Sequence, residues 1–196
     1  MKENIFITTA IDYVNSMPHL GTAYEKIGAD VLARFYRMCG HPTLFLMGTD
    51  EHSLNVERKA REEGITPQAF CDRMSAGFRN TWREINISCD DFIRTTDARH
   101  VKSVQDLFTK MHAKGDIYEG KYTGWYCVSC ETFYMEKDLV DGQCPTHKKK
   151  PEWIEEQNYF FRLSNYAERL LELYDKTPDF IRPETRRNEI VNVVKG

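Results

Sequence analysis

Cys127, Cys130, Cys144 and His147 form a C-x2-C, thirteen-residue, C-x2-H array. At that spacing two tight turns can present three thiolate sulfurs and one imidazole nitrogen to a single tetrahedral ion. The ligand set suits zinc, and four protein ligands leave no open position, so the expected role is structural. Two other readings stand beside it: four residues that happen to lie near one another, or a redox pair at Cys127 and Cys130. A thioredoxin-type pair opens a helix in a βαβ setting, whereas Trp125, Tyr126 and a polar loop flank these cysteines. Cys39, Cys71 and Cys89 are scattered, which fits a reducing compartment better than a disulfide framework.

Two further segments carry chemistry. In Met17-Pro18-His19-Leu20-Gly21-Thr22, a helix start presents unpaired N–H groups and partial positive charge, Gly21 admits a phosphate to the backbone, and His19 can donate to an anionic oxygen. In Gly48-Thr49-Asp50-Glu51-His52, a carboxylate is suited to an ammonium group. Taken alone, the first is more often a plain surface or capping histidine, and the second is equally a helix cap with a solvated charge.

The elements that position these loops are readable from periodicity. Residues 4–9 are β-branched and aromatic without polar alternation, predicting a strand buried on both faces of a parallel sheet. A loop from Ile11 to Leu20 follows. Ile27, Val31 and Phe35, with Leu32, Tyr36 and Cys39 beside them, predict a helix over 21–38 that ends at Gly40. Thr43 to Gly48 reads as a second buried strand. This order is a βαβ crossover, whose two loops face one crevice at the carboxyl ends of the strands. An exposed helix over 56–63 stops at Gly64, Thr66-Pro67 restarts another, and Asp97 caps a third that carries Val104, Leu107, Phe108 and Met111 up to Gly115. Beyond it the composition turns to aromatics interleaved with glycines, placing a module boundary near residue 115. Helices return with Ala167, Leu170, Leu171 and Tyr174, and again from Pro183 through Ile190, Val191 and Val194.

The 196 residues are 41% hydrophobic and 29% charged, with a net charge of −3. That excludes a disordered chain and offers no chain-wide basic field for nucleic acid, although a local patch is compatible with it. No apolar run approaches the roughly 18 residues of a membrane span. The expectation is a soluble cytoplasmic protein.

Joined, the motifs resemble methionyl-tRNA synthetase, a class I aminoacyl-tRNA synthetase family. The likeness rests on Thr8 to Asn15, Pro18-His19-Leu20-Gly21, Gly48 to His52, Asp90 to Thr96, Tyr126 to Cys130 and Arg187-Asn188-Glu189. It implies an α/β fold: the first half of a Rossmann-type parallel sheet over 1–115, then a connective-peptide insertion over 116–196 with a zinc knuckle at 127–147 and C-terminal helices. His19-Leu20-Gly21-Thr22 is similar to the HIGH signature, which implies ATP binding by His19, Gly21 and Thr22, with His19 and Thr22 catalytic. Ile11 and Tyr13 match methionine-pocket positions, and Asp50 matches the carboxylate that holds the amino acid's ammonium. The implied substrates are methionine, ATP with Mg2+ and tRNA(Met), and the implied metal is structural Zn2+. The implied reaction is formation of methionyl adenylate and its transfer to tRNA.

The sequence departs from the family pattern at Ala10, Asp12, Thr22 and Ser53. A KMSKS-type lysine loop is not found in these residues. The expectation is therefore an N-terminal portion that needs the remainder of the catalytic domain and does not charge tRNA alone. The alternative is a non-catalytic, synthetase-like fragment that binds zinc or RNA. Lys148 to Lys150 and Arg182, Arg186 and Arg187 could approach RNA, or form a solvated face.

Overall fold

The computed structural model describes residues 2–130 and 132–196. They divide into two compact units, Met1–Val104 and Gln105–Gly196, with the division inside one helix. No described helix is long and apolar enough to cross a membrane.

The first unit holds a parallel sheet of β1 (Ile5–Thr8), β2 (Asp12–Tyr13), β3 (Thr43–Asp50) and β4 (Asp91–Arg94). Strand β3 is central: Leu46 pairs with both Thr8 and Asp91, and Thr49 with both Asp12 and Arg94. β1 and β2 therefore follow one another along one edge of β3, and β4 takes the other. Three helices complete the unit: α1 (Leu20–Met38), α2 (Leu54–Glu62) and α3 (Pro67–Glu84). Each starts on a side-chain cap, at His19, Ser53 and Thr66, and Pro67 occupies the first turn of α3, where its missing N–H costs nothing. β3 runs two residues beyond its expected end at Gly48, because β2 pairs with Thr49 and Asp50. β2 itself interrupts the expected loop from Ile11 to Leu20.

One buried cluster serves this unit, drawing Ala33 from α1, Phe45 and Met47 from β3, Val56 and Ala60 from α2, Phe70, Met74, Phe78 and Trp82 from α3, and Phe92 from β4. It lies on one face of the sheet. The expectation that β1 is buried on both faces does not hold: Phe6 and Leu44 are register partners on the opposite face and are 62% and 49% exposed. The apolar stripe of α1 is also open, from Leu20 (86% exposed) and Tyr24 through Ile27, Val31 and Phe35. Its buried positions are Lys26, Asp30 and Ala33.

The polar side of α1 faces inward because it fastens the segment that leads into β4. Asp30 Oδ1 accepts from the Ser88 amide (2.7 Å) and hydroxyl, and its Oδ2 accepts from Arg34 Nε (2.6 Å). Arg37 donates to Ser88 and to Asp90 Oδ2, which also accepts from the Phe45 amide.

α4 (Ala98–Ala113) bridges the division. Asp97 begins it through its carbonyl, which accepts from Val101 N–H, while its carboxylate turns back to accept from Arg94 N–H. The second unit is built on an antiparallel sheet in the order β6 (Thr132–Tyr134), β5 (Ile117–Cys127), β7 (Glu152–Phe161). Ten register pairs join β5 and β7, from Ile117↔Phe161 to Tyr126↔Glu152. α5 (Ala167–Lys176) and α6 (Glu184–Lys195) follow.

Burial pushes the Asp30 carboxyl upward, but the bonds from Ser88 and Arg34 outweigh it and hold the group below its ordinary value of 3.8. A depressed folded-state pKa contributes stability above the ordinary value, and that contribution is lost as pH falls through the folded one. Thermal unfolding followed from about pH 6 down to about pH 2 should show the melting midpoint falling less steeply for Asp30→Asn than for the wild type. Parallel declines would contradict the role given to Asp30.

Candidate active site and metal centre

At the start of α1, His19 Nδ1 accepts the Gly21 N–H (3.0 Å). The neutral ring therefore carries its proton on Nε2, where it can donate outward. Gly21 has a steric reason: a Cβ there would stand 2.9 Å from His19 Cε1. Thr22 closes the cap from the other side, its Oγ1 accepting from His19 N–H (3.0 Å) and donating to the His19 carbonyl (2.8 Å). Its hydroxyl is thus engaged in ordering the loop that presents the imidazole.

Strand pairing brings the second group of sequence-selected residues together. The β2–β3 register sets Tyr13 directly beside Asp50, and Ile11 lies over Gly48, whose absent side chain leaves room for Ile11 and Ile93. Ile11 and Tyr13 remain exposed. His19 lies near enough to Asp12 to act on its carboxyl electrostatically. Ile11 and Tyr13 thus stand beside Gly48 and Asp50 at the carboxyl end of β3, and a carboxylate there can hold an ammonium group.

Sequence reasoning did not select the residue next to Asp50 that anchors this end. Glu51 is buried and receives Arg94 Nε at 2.7 Å, Arg94 Nη2 at 2.9 Å, Thr49 Oγ1 at 3.0 Å and Thr96 Oγ1 at 2.5 Å. Its own N–H donates to Thr95 Oγ1 (2.9 Å). Arg94 also reaches Asp72 (2.7 Å), and hydrogen bonds to Glu51 raise its pKa despite desolvation. The available signal was the charged pair Asp50-Glu51 at the end of a buried strand, with Arg94-Thr95-Thr96 ending another.

Local geometry assembles the cysteine and histidine array. The ligating atoms of Cys127, Cys130, Cys144 and His147 all lie within 4.8 Å of one another. Cys130 Sγ is 3.4 Å from Cys127 Sγ, 3.3 Å from Cys144 Sγ and 3.0 Å from His147 Nδ1. The end of β5 delivers Cys127, and the turn after it returns Cys130 N–H to the Cys127 carbonyl. Burial opposes the Cys144 thiolate, but the His147 N–H and neighbouring side chains outweigh it and bring the thiol down to about 5. Three sulfurs and one imidazole converging on one point can hold a metal ion.

Residues 5–150 match the sequence model of the family described as tRNA synthetases class I (M). The chain belongs to that family. Its relatives include the methionine–tRNA ligase of Thermotoga maritima, 48% identical over 97% of this chain and 31% of the relative. That of Thermosynechococcus vestitus is 47% identical over 100% of this chain and 37% of the relative. Among solved structures, Mycobacterium tuberculosis methionyl-tRNA synthetase in complex with methionyl-adenylate superposes with a TM-score of 0.92 at 46% identity, over 100% of this chain and 39% of that one. The chain spans about a third of the length of the curated relatives it matches. The class I synthetase fold accounts for the parallel sheet and for the helix that starts on His19.

Two outcomes follow from the geometry. Removing one partner of a buried ion pair strands the other, so Arg94→Met should lower stability by about 3–5 kcal/mol in urea unfolding. Elemental analysis of protein purified without chelators should find bound divalent metal, and Cys144→Ser should abolish it. Metal-free wild type would leave the four side chains as a chance cluster.

Proposed function

We propose that this chain is the N-terminal portion of a methionine–tRNA ligase acting in the cytoplasm. The observation that carries the reading is the match over the whole chain to a synthetase solved with methionyl-adenylate, supported by the pairing that sets Tyr13 beside Asp50. Asp50 takes the methionine ammonium, while Ile11 and Tyr13 offer apolar wall to the thioether. The methionine carboxylate then attacks the α-phosphorus of ATP, which enters with its Mg2+. The bond to the β,γ-phosphates breaks, releasing pyrophosphate and leaving methionyl adenylate. Attack by a ribose hydroxyl at the tRNA(Met) terminus transfers the methionyl group and releases AMP.

Negative charge grows on phosphate oxygens as the nucleophile arrives. A fixed donor there is worth roughly 2.7–4 kcal/mol by comparison with oxyanion-hole deletions. His19 Nε2–H and the amides at the start of α1 fill this role, with Gly21 allowing close approach. Thr22 serves by holding His19, since its own proton goes to the His19 carbonyl.

The three thiols and His147 fit Zn2+, which would brace the β5–β6 turn and take no part in the reaction. The open stripe of α1 and the bare sheet face at Phe6 and Leu44 are the surfaces on which the remainder of the catalytic domain would pack. An exposed apolar area of that kind marks an interaction site.

The full-length protein should exchange pyrophosphate into ATP only when methionine is added. His19→Ala should slow the exchange about 10²–10³-fold, far more than the loss of about 0.5–2 kcal/mol of stability expected from removing the α1 cap. The 196-residue chain alone should charge no tRNA. A full-length protein without exchange, yet still binding zinc or RNA, would select the non-catalytic alternative.

A further inference from the structure

Lys26 is 0% exposed, and no other lysine or arginine among the described residues is buried. Nothing in the proposed reaction uses it. Its Nζ donates to the Ala10 carbonyl (2.7 Å), to Glu25 Oε2 (2.9 Å) and to Asp12 Oδ1 (3.3 Å). Asp12 Oδ2 stands 3.2 Å away without hydrogen-bond geometry. All three ammonium protons are therefore placed, as a buried cation requires.

The pattern of contacts points at the backbone of one residue, Ala10, and the two peptide groups on either side of it. β1 ends at Thr8 and β2 begins at Asp12, so residues 9–11 leave the β3 edge without ladder partners. Glu25 Oε1 accepts the Ala10 N–H (2.8 Å), and Lys26 takes the Ala10 carbonyl. Two consecutive residues of α1 thus hold both polar groups of Ala10. Ile11 is the next residue, and Asp12, also held by Lys26, immediately precedes Tyr13. A methionine at position 26 would fill similar volume with no ion to desolvate, so volume alone does not explain the ammonium.

We propose that Lys26 is a positioning residue for the substrate loop: with Glu25 it clamps the two peptide groups flanking Ala10 to α1, and so sets where Ile11 and Tyr13 stand relative to Asp50. The proposal rests on the reading that these three residues receive methionine. It also ties the loop to the helix whose first turn presents His19.

The test is methionine-dependent pyrophosphate exchange by the full-length protein, comparing wild type with Lys26→Met. A loosened loop should raise KM for methionine about tenfold while KM for ATP and kcat stay within about threefold, since a small misplacement acts on the substrate that the loop contacts. A lowered melting midpoint with KM for methionine unchanged would make Lys26 merely structural and overturn the proposal. Should Lys26→Met fail to fold, amide exchange of the wild type decides. An Ala10 N–H as protected as the amides of β1 supports the clamp, and exchange at the rate of an open loop overturns it. If the wild type shows no methionine-dependent exchange, the functional reading fails and the positioning role fails with it. Protection of Ala10 then reports separately whether the clamp exists.

Discussion

Strand β3 is hydrogen-bonded along both edges, and the candidate site depends on that double pairing. Because Thr49 is shared between Asp12 and Arg94, the short β2 and the end of β4 are brought to the same level of the sheet. There Tyr13 meets Asp50, and the threonines after β4 meet Glu51. Successive strand residues point to opposite faces, so a slip of one residue in either pairing would turn these side chains away. Gly48 lets the arrangement close, since any side chain there would run into the Ile93 carbonyl and Ile11. Glu51 then locks it: four donors to one buried carboxylate leave the adjoining peptide little freedom.

The same unit buries charge and exposes apolar surface, an inversion with a physical cause. Its single apolar cluster lies on one face of the sheet, so the inward side of α1 meets backbone with unmet hydrogen bonds: the Ala10 backbone at one end, Ser88 and Asn86 further along. Lysine, aspartate and arginine satisfy these groups. Among the described residues the apolar stripe on the other side of α1 is exposed, and the chain spans about a third of the length of its relatives.

The departures at positions 10, 12, 22 and 53 each acquire a local account. Thr22 completes the His19 cap, Ser53 caps α2 through the Val56 amide, and Asp12 is partnered by Lys26, with the Ala10 backbone held alongside. In each case the residue, through its side chain or its backbone, is hydrogen-bonded in its setting.

The cysteine–histidine cluster, the helix starts, the βαβ order and the places of the His19 and Asp50 loops were all legible in the sequence. Each depends on residues within a turn or two of one another: a C-x2-C turn, a side chain reaching an amide two or three positions on, a strand's run of branched residues. Which faces are buried was not legible. Ile27, Val31 and Phe35 form the apolar helical stripe and are open, while Lys26 and Asp30, which the sequence reading did not single out, are enclosed. Whether a side chain is buried depends on partners elsewhere in the chain, as Asp30 on Ser88 and Glu51 on Arg94. A charge inside is tolerable only where such partners supply every hydrogen bond. The amino-acid order by itself determined which chemical groups are present and how they begin and end their elements. The tertiary structure decided which of them share a site, because strand register and the pairing of buried charge are settled between residues distant in the chain.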